Sequence, residues 1–316
     1  MKILLTDNID PVAAERLREQ GFEVDERPTM EREVLKREIR RYDAMAIRSA
    51  TTLDEDILRT PGALKLIVRG GVGIDNIDVE AATRAGIAVA NTPDANTTAT
   101  AELTLALMLA LARMVVPAHN SLIAGEWKRS QFRGIELSRK TLGILGFGRI
   151  GKAVARRARA FEMRILAYDP YIPKDCFLQE QVTPVSLEEL FRESDIITLH
   201  IPLTDETRHL IDARAIDLMK TGVRLINTAR GALLDDEAVA MALKQGKVAG
   251  VALDVYHTEP PPPDHALIGQ PGVLSVPHLG AYTREAQHKV AVEVARVIVD
   301  FFKHNSKNNV INDVQE

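Results

Sequence analysis

Short apolar runs rich in Val, Ile and Leu alternate with amphipathic stretches along the chain. The runs predict strands, and the stretches between them predict helices with one apolar face. The predicted strands are Lys2–Thr6, Ala44–Ile47, Leu66–Val68, Ile87–Ala90, Leu142–Leu145, Arg164–Tyr168, Asp195–Leu199, Arg224–Ile226, Val248–Leu253 and Val273–Val276. The clearest predicted helices are Pro11–Gln20, Glu31–Arg40 and Arg284–Lys303. This alternation is typical of an α/β protein with parallel sheets.

The most apolar stretch of the chain is Leu103–Val116. It follows Glu102, contains Arg113, and is shorter than the roughly 20 apolar residues needed to cross a bilayer. A helix that is apolar on every side is expected to be buried, so we predict a helix that lies between domains or subunits and has no membrane role. The N-terminal run Met1–Thr6 is too short for a signal peptide, and Asp7 follows it directly.

A glycine-rich motif follows the predicted strand Leu142–Leu145. It spans Gly146 to Gly151 and continues into the helical segment Lys152–Ala160. The first glycine permits a tight turn, the second lets the backbone approach a pyrophosphate, and the third lets helix and strand pack closely. The N-terminus of the helix offers unpaired N–H groups to phosphates. The residues predicted to bind a dinucleotide are therefore Gly146, Gly148, Arg149, Ile150 and Gly151.

An acidic residue, Asp169, ends the next predicted strand after this motif. A carboxylate at this point accepts hydrogen bonds from the adenosine ribose hydroxyls and repels a 2′-phosphate. Pro170 follows, where an NADP-binding protein would favour arginine. We therefore predict NAD as the cofactor and Asp169 as a ligand of its ribose. The alternative is that Asp169 is only a turn residue before the proline.

The nucleotide motif lies near the middle of the chain rather than near its start. A chain of 316 residues is long enough for two domains, and the α/β alternation occurs on both sides of the motif. We therefore predict that a Rossmann NAD-binding domain, residues 98–286, is inserted into a second domain formed by residues 1–97 and 287–316. Both domains are predicted to be doubly wound parallel sheets.

Polar side chains follow the last three predicted strands, at the sheet edge where parallel sheets bind ligands. Arg230, Glu259 and His278 each come after one of these strands. An imidazole accepts a hydroxyl proton near neutral pH, a carboxylate holds the ring, and a guanidinium orients a substrate carboxylate. This set predicts hydride transfer between NAD and a 2-hydroxy acid, with His278 as the acid–base. Taken singly, each residue has an ordinary structural explanation, and His257 is a rival for the base.

Other residues near the same strand ends are predicted to line the cofactor. Asp254 is expected to face the nicotinamide carboxamide, and the others are expected to contribute backbone or hydroxyl groups. The full set is His200, Pro202, Thr228, Asp254, Gly280 and Ala281. A purely local structural role is the alternative for His200, Pro202 and Thr228.

The composition narrows the range of partners. The formal net charge of −4 leaves no broad basic face, so nucleic acid is not an expected partner. The single cysteine, Cys176, excludes an internal disulfide and a cysteine-based metal cage. We predict a cytoplasmic protein with no metal site.

These motifs together resemble the D-isomer-specific 2-hydroxyacid dehydrogenase family over nearly the whole chain. The matching segments are 47–51, 73–78, 91–93, Asn96, 101–103, 146–151, 227–231, 252–255, 259–260 and 277–281. The resemblance implies a flavodoxin-like substrate domain around the Rossmann domain, a homodimer or tetramer, and the set Arg230, Glu259 and His278. The branch that it resembles most oxidises D-3-phosphoglycerate to 3-phosphohydroxypyruvate, at the entry to serine synthesis.

The resemblance also implies where such a substrate binds. The implied substrate residues are Arg48, Ser49, Arg69, Gly70, Gly71 and Arg129. The backbone from Arg69 is expected to cradle the substrate carboxylate, and a basic cluster of Lys128, Arg129 and Arg133 is expected to reach the site from a partner subunit. Solvated surface charge is the alternative explanation for these three residues and for Arg48 and Arg69.

The chain departs from its close relatives at several positions. Val72 and Ile201 stand where a threonine is common, and Tyr282 replaces a small hydroxyl residue close to His278. The tyrosine leaves two other functions open: a reductase of hydroxypyruvate or glyoxylate, and a dehydrogenase of another anionic 2-hydroxy acid. An NAD-sensing binding protein without enzymatic activity is the alternative from another class. Because the sequence ends at Glu316, without the C-terminal regulatory domains of some relatives, we expect no serine inhibition through such a domain.

Overall fold

The computed structural model describes residues 1–314, so Gln315 and Glu316, the last two residues of the predicted range 287–316, lie outside the described residues. The strands are β1 Lys2–Leu5, β2 Glu23–Glu26, β3 Ala44–Ile47, β4 Leu66–Arg69, β5 Ala88–Asn91, β6 Thr141–Leu145, β7 Arg164–Tyr168, β8 Thr183–Pro184, β9 Ile196–Leu199, β10 Val223–Asn227, β11 Val248–Leu253 and β12 Val273–Ser275. The α-helices are α1 Val12–Glu19, α2 Arg32–Glu38, α3 Glu55–Leu58, α4 Val79–Arg84, α5 Thr97–Ala112, α6 Val115–Ile123, α7 Arg149–Arg159, α8 Lys174–Gln179, α9 Leu187–Glu193, α10 Ala213–Leu218, α11 Asp236–Lys244 and α12 Arg284–His304. Short 3-10 helices cover Ile39–Arg41, Arg129–Gln131 and Gly231–Leu233.

The contacts between Cα atoms divide the chain into two compact units. Unit 1 comprises Met1–Asn96 and the described residues from Ala281 onward, and unit 2 comprises Thr97–Gly280. These divisions lie one and six residues before the boundaries proposed from the sequence. The second one precedes α12, whose N-terminus is capped by the Thr283 side chain and whose buried face packs in unit 1.

Unit 1 is built on a parallel sheet with the strand order β2-β1-β3-β4-β5. Successive side chains of each strand point to opposite faces, so Ile3 packs with α1 and α12, whereas Leu4 packs with α2, α3 and α4. The sheet is therefore covered by helices on both sides. Its strand order changes direction between β1 and β3, and this is the flavodoxin-like arrangement.

Unit 2 is built on a second parallel sheet, with the strand order β12-β11-β10-β9-β6-β7-β8. Helices α5 and α7 cover one face of this sheet, and α9, α10 and α11 cover the other. The order changes direction between β6 and β9, as in a Rossmann domain, and the crevice at that point is where such sheets bind dinucleotides. The prediction of two doubly wound parallel α/β domains is confirmed.

The apolar segment Leu103–Val116 was predicted to be one helix buried between domains or subunits, and the structure divides it between two helices. Helix α5 ends at Ala112, and Met114 adopts a left-handed backbone conformation with φ of 54° before α6 begins. Most of α5 is buried, but α6 has no fully buried residue. A residue in this conformation does not continue a right-handed helix, so the apolar stretch is divided between a core helix and a surface helix.

From the sequence, neither a membrane-spanning helix nor a metal site was expected. Across residues 1–314, no single helix has the length and apolar character to cross a membrane, whereas the bent pair Thr97–Ala112 and Val115–Ile123 together meets those two criteria. In the same part of the chain, no group of three or more His, Cys, Asp or Glu side chains is arranged to hold a metal ion.

Candidate active site

The sheet of unit 2 brings the three predicted catalytic residues to one edge. Strands β10, β11 and β12 are neighbours and run parallel, so the segments that follow them leave the sheet side by side. Arg230 lies in the first of these segments, Glu259 in the second and His278 in the third. Residues separated by up to 48 positions in the chain are therefore neighbours in the fold.

His278 and Glu259 form a direct pair. The distance from His278 Nδ1 to Glu259 Oε2 is 2.5 Å, and both side chains remain partly exposed. The other carboxylate oxygen, Oε1, accepts a hydrogen bond of 3.1 Å from the backbone N–H of Tyr256. Burial raises the pKa of Glu259, but the hydrogen bond from His278, the charges of His278 and Arg230 and the Tyr256 N–H together lower it below its ordinary value. The carboxylate is thus kept ionised beside the imidazole.

Arg230 is held by the turn that follows β10. The buried Asn227 donates from Nδ2 to the Arg230 carbonyl at 2.7 Å, and its Oδ1 accepts from the Ala229 N–H at 3.0 Å. The guanidinium donates from one terminal nitrogen to the Ala229 carbonyl at 2.6 Å. Arg230 is also close enough to Glu259 for its charge to lower the pKa of that carboxyl. The turn therefore directs the guanidinium to the same edge as the imidazole–carboxylate pair.

The segment that carries His278 is held by Asp254. Its two carboxylate oxygens accept hydrogen bonds of 2.5 Å from the Leu279 N–H and 2.8 Å from the Gly280 N–H. Burial raises the pKa of Asp254 to about 6, although these two N–H groups and the charge of His278 stabilise its ionised form. The structure therefore uses Asp254 to fix the backbone after His278, while sequence reasoning assigned it only to the nicotinamide. The carbonyl of Gly280 in turn accepts from the Thr100 hydroxyl at 3.1 Å.

The glycine-rich turn has the geometry that a dinucleotide requires. Gly146 has a φ of 91°, and a Cβ atom at this position would lie 2.5 Å from the carbonyl oxygen of His200. A Cβ on Gly151 would lie 2.2 Å from the carbonyl oxygen of Gly146, whereas one on Gly148 would meet no atom within 4 Å. The first and third glycines are thus required by the turn, and the second leaves open space beside the N-terminus of α7. These residues fit a bound pyrophosphate.

The predicted ribose ligand is attached to the same turn. Asp169 Oδ2 accepts a hydrogen bond of 2.8 Å from the Phe147 N–H, and Oδ1 accepts one of 3.0 Å from the Tyr171 N–H. The carboxylate therefore lies against the glycine-rich turn, as a dinucleotide site requires. Arg149 is exposed in the first turn of α7, and Ile150 packs against its core.

Three other residues of the predicted cofactor set have structural partners in unit 2. The His200 Nε2 atom lies 3.0 Å from the Thr198 hydroxyl, and the Thr228 hydroxyl lies 3.0 Å from that of Thr104. The carbonyl of Pro202 accepts from the Thr207 hydroxyl at 2.8 Å. His200 follows β9 and meets Gly146, which follows β6, where the strand order of the sheet changes direction.

His200 gives unit 2 a pH-dependent stability. Burial lowers its pKa to about 3, whereas an unfolded histidine titrates near 6.5. At pH values above the pKa of the unfolded state, the contribution of His200 to stability is fully present. As the pH falls below that pKa, the unfolded chain takes up a proton that the folded chain does not, and the free energy of unfolding falls by about 1.4 kcal/mol per pH unit.

We therefore expect His200→Gln to flatten this dependence. Urea unfolding of both proteins between about pH 4.5 and 7.5 measures this dependence. As the pH falls, the free energy of unfolding of the wild type should decrease more steeply than that of the variant, by the contribution of one proton. A stability difference between the two proteins that is constant across this range would contradict the expectation.

His257, the rival for the base, has structural neighbours. Its Nε2 atom lies 3.3 Å from the Leu234 carbonyl oxygen and 4.0 Å from the Asp236 carboxylate. Its ring also meets the edge of the His209 ring at a centroid distance of 5.4 Å. These contacts place the side chain of His257 against the segment that leads into α11, whereas His278 is the histidine that pairs with Glu259.

In unit 1, Arg48 lies where the strand order changes direction, in the loop after β3. The buried Asp7 accepts hydrogen bonds from the Arg48 and Thr51 N–H groups, at 2.7 and 3.2 Å. From the other side, Asn76 Nδ2 donates to the Arg48 and Thr51 carbonyls at 2.7 and 2.6 Å. The side chain of Arg48 donates a hydrogen bond to Gln287, and burial lowers the pKa of the Arg48 guanidinium. Ser49, in the same loop, is exposed.

The glycine pair after β4 is hydrogen-bonded within unit 1. The Gly70 N–H donates to the Ile47 carbonyl at 2.8 Å, and the Gly71 N–H donates to the Arg69 carbonyl at 2.9 Å. These two N–H groups are part of the backbone expected to cradle a carboxylate. The Arg69 guanidinium lies over Gly71, where it occupies the space of a Cβ atom. Arg129, by contrast, is exposed in a 3-10 helix of unit 2.

Several residues that organise the site were not predicted. Asp7, Asn76 and Asn227 each use a side chain to hold the backbone of a loop that carries a predicted site residue. Tyr256 does so with its backbone N–H. A weak signal was present, because an Asp or Asn directly after a strand commonly bonds to neighbouring backbone groups. The partners of these side chains lie up to 44 residues away, which no local pattern indicates.

Residues 105–280 match the family model described as D-isomer specific 2-hydroxyacid dehydrogenase, NAD binding domain. A D-3-phosphoglycerate dehydrogenase of Archaeoglobus fulgidus is 45% identical over 99% of the chain, and the match covers 59% of that protein. The chain thus spans about three fifths of the length of this curated relative. Both predictions, of the family and of NAD as its cofactor, are confirmed.

Solved structures resemble the chain over almost all of its length. A glyoxylate reductase from Paecilomyes thermophila has a TM-score of 0.88 and 35% identity, with 99% of this chain and 97% of that chain covered. A D-lactate dehydrogenase from Aquifex aeolicus, solved as a complex with NAD and lactic acid, has a TM-score of 0.87 and 31% identity. In that comparison 99% of this chain and 100% of the other are covered.

Proposed function

Because the chain belongs to the D-isomer specific 2-hydroxyacid dehydrogenase family, we propose that it oxidises a small 2-hydroxy acid with NAD, and that D-3-phosphoglycerate is this acid. The product is then 3-phosphohydroxypyruvate, a precursor of serine. The observation that carries the proposal is the 2.5 Å pair of His278 and Glu259 at the sheet edge that also carries Arg230. NAD accepts the hydride from the hydroxyl-bearing carbon when it is bound.

His278 acts as the acid–base in this reaction. Its Nδ1 atom faces Glu259, so its Nε2 atom is the one that accepts the hydroxyl proton as the C–H bond breaks. The imidazole becomes positively charged in this step, and the ionised Glu259 stabilises that charge and holds the ring in one orientation. In the reverse direction the same nitrogen returns the proton to the carbonyl oxygen.

Arg230 binds the carboxylate of the substrate. Its guanidinium offers a planar pair of donors that matches a carboxylate, and the Asn227 turn limits the orientations available to it. Its positive charge also favours the negative charge that develops on the substrate oxygen in the reduction direction. Arg230 therefore orients the carbon that loses or gains the hydride.

The glycine-rich turn and Asp169 hold NAD. The pyrophosphate site is formed by Gly146, Gly148, Arg149, Ile150 and Gly151. Asp169 binds the ribose of adenosine and disfavours NADP. The rest of the cofactor site is lined by His200, Pro202, Thr228, Asp254, Gly280 and Ala281. Asp254 additionally holds the backbone on which His278 is mounted.

The family resemblance supports further ligands of the substrate, namely Arg48, Ser49, Arg69, Gly70 and Gly71, all of which lie in unit 1. It also supports Arg129, which is proposed to reach the substrate from the partner subunit. A cavity of about 830 Å³ in unit 1 is lined by several polar residues, among them Arg48, Tyr282, Arg284 and Gln287. The Tyr282 ring is 72% exposed, so its hydroxyl is available to a ligand.

A substrate panel tests the proposal. Initial rates are measured with NAD and NADP on D-3-phosphoglycerate and D-lactate, and with NADH and NADPH on 3-phosphohydroxypyruvate, hydroxypyruvate and glyoxylate. We expect the highest kcat/KM for the phosphorylated pair, and we expect NAD to be preferred over NADP. The absence of turnover on every acid, with NADH binding retained, would contradict the proposal and favour an NAD-sensing binding protein.

A second candidate function is the reduction of glyoxylate or hydroxypyruvate. The similarity to a glyoxylate reductase over nearly the full length of both chains favours it, as does Tyr282 in the cavity of unit 1. The panel separates the two functions, because a reductase of small unphosphorylated acids would show its highest kcat/KM on glyoxylate or hydroxypyruvate.

A second copy of the chain is the proposed protein partner. Four large apolar side chains in or just after α6 are more than half exposed, namely Val115, Leu122, Ile123 and Trp127. Apolar side chains clustered in this way are typical of an interface between subunits. We therefore propose a homodimer, located in the cytoplasm, and a monomeric mass in sedimentation equilibrium would contradict the dimer.

A further inference from the structure

The backbone at His278 adopts a conformation that needs support. Its φ is 52°, in the left-handed region that non-glycine residues rarely adopt, and its N–H donates to the Val276 carbonyl at 3.1 Å. Such a conformation persists only where the surrounding contacts over-determine it. The contacts of residues 276–280 therefore decide where the imidazole lies.

These contacts come from two neighbouring residues of the preceding segment. Asp254 binds the Leu279 and Gly280 N–H groups, on the C-terminal side of His278. The Tyr256 hydroxyl donates to the Val276 carbonyl at 2.8 Å, on the N-terminal side. Both side chains therefore reach the turn at His278 from the segment that follows β11.

Tyr256 also contacts the partner of His278. Its backbone N–H donates to Glu259 Oε1, while Glu259 Oε2 faces the imidazole. Tyr256 is therefore hydrogen-bonded through its backbone N–H to the carboxylate of Glu259. Through its side chain it is hydrogen-bonded to the carbonyl of Val276, two residues before His278. This arrangement fixes the separation of the two groups, because neither can move away from Tyr256 without losing a hydrogen bond.

The position of Tyr256 is itself well determined. Its ring meets the edge of the His265 ring at a centroid distance of 5.6 Å and an interplanar angle of 89°. His265 accepts from the Leu267 N–H at 3.2 Å through Nδ1, and its Nε2 lies 3.3 Å from the Asp236 carboxylate. The backbone of Tyr256 also packs directly on Gly231, where a Cβ atom would lie 2.1 Å from the Tyr256 carbonyl carbon. The tyrosine is thus packed against the segment that follows Arg230.

We propose that Tyr256 is a positioning residue that sets the distance between His278 and Glu259 through its hydroxyl. The inference rests on the proposed function, in which this pair moves the substrate proton. Tyr256 does not itself exchange a proton, because burial raises the pKa of its phenol and its hydroxyl donates to a carbonyl. Its contribution is the geometry of the pair in the resting protein.

The test is the isosteric variant Tyr256→Phe, which removes only the hydroxyl. We expect kcat to fall about three- to tenfold, the value of one hydrogen bond, with the Kd of NADH unchanged. We also expect the far-downfield proton NMR signal of the His278 Nδ1–H, bonded to Glu259, to move upfield or broaden. This second measurement requires no substrate.

The matched control is Tyr42→Phe in unit 1. The Tyr42 hydroxyl donates to Asp25 at 2.7 Å, and its ring is more deeply buried than that of Tyr256. This variant also loses one tyrosine hydrogen bond, so we expect lower stability in urea but an unchanged kcat and an unchanged NMR signal. If both variants lower kcat equally, the effect is general destabilisation and the proposal is wrong.

The outcomes distinguish this proposal from the proposed function. If the wild type turns over no 2-hydroxy acid, the function is wrong, and the NMR signal still decides whether Tyr256 positions the pair. If the wild type is active and Tyr256→Phe changes neither kcat nor the signal, the positioning role is wrong and the function stands. Binding of NADH by each variant shows that it is folded when the comparison is made.

Discussion

Replacing His278 with alanine is expected to lower kcat by at least about 10²–10⁴-fold while leaving the Kd of NADH nearly unchanged. The imidazole is the proposed acceptor of the substrate proton, and its 2.5 Å contact with Glu259 stabilises the charge that it acquires. The glycine-rich turn and Asp169, which are proposed to hold NAD, make no contact that depends on this ring. Steady-state rates on the preferred acid and a fluorescence titration with NADH measure the two quantities separately.

The matched control is His257→Ala, two residues before Glu259 in the chain. The His257 ring contacts the Leu234 carbonyl and the His209 ring, so its loss should affect packing more than chemistry. We expect its kcat to stay within about tenfold of the wild-type value, since the acid–base contribution lies with the other histidine. A larger loss of kcat in His257→Ala than in His278→Ala would reverse the assignment of the base.

The second large effect is expected for Gly151→Ala. A Cβ atom at this position lies 2.2 Å from the carbonyl oxygen of Gly146, a backbone atom that cannot rotate away. Forcing the helix and the turn apart costs about 1–3 kcal/mol of stability, as in other overpacked sites. Because NAD requires the original turn, we expect the Kd of NADH to rise by about 10- to 100-fold. Urea unfolding and NADH titration measure the two effects.

Gly148→Ala in the same motif is the informative comparison. A Cβ on this residue has no neighbour within 4 Å in the protein, so the free energy of unfolding should change by less than about 1 kcal/mol. NADH binding should nevertheless weaken at least about tenfold, because the added methyl group enters the space in which the pyrophosphate approaches the backbone. If Gly148→Ala binds NADH as tightly as the wild type, the pyrophosphate site has been assigned incorrectly.

Much of the fold follows from local patterns, and the exceptions have identifiable causes. Strands β3, β7 and β11 have the predicted bounds, since each is an apolar run in which most residues are buried. Strands β2 and β8 were not predicted. The sequence of β2, Glu23–Glu26, contains a single buried residue, Val24, and β8 has only two residues. Both pair at the edge of a sheet through backbone groups, which leave no apolar pattern.

The sequence predicted candidate residues for the site, but it predicted few of the contacts between them. Parallel sheets bind ligands at the ends of their strands, so polar residues after buried strands, here Arg230, Glu259 and His278, were selected as candidates from the sequence. The bonds of Asp254 to the backbone after His278 and the bond of the Tyr256 hydroxyl to the Val276 carbonyl were not predicted. Each of these contacts joins segments about 20 or more residues apart, and the spacing along the chain contains no information about them.

The sequence by itself determined most of the strands, the residues proposed for the chemistry, and a glycine-rich turn of the kind that binds dinucleotides. These properties follow from the periodicity of apolar side chains and from the lack of a Cβ in glycine, which are local. Only the tertiary structure decided that β10, β11 and β12 are adjacent, and that the carboxylate of Glu259 meets Nδ1 of His278. Strand order and hydrogen-bond partners depend on the packing of distant segments around a common core, and the strained backbone of His278 exists only because that packing holds it.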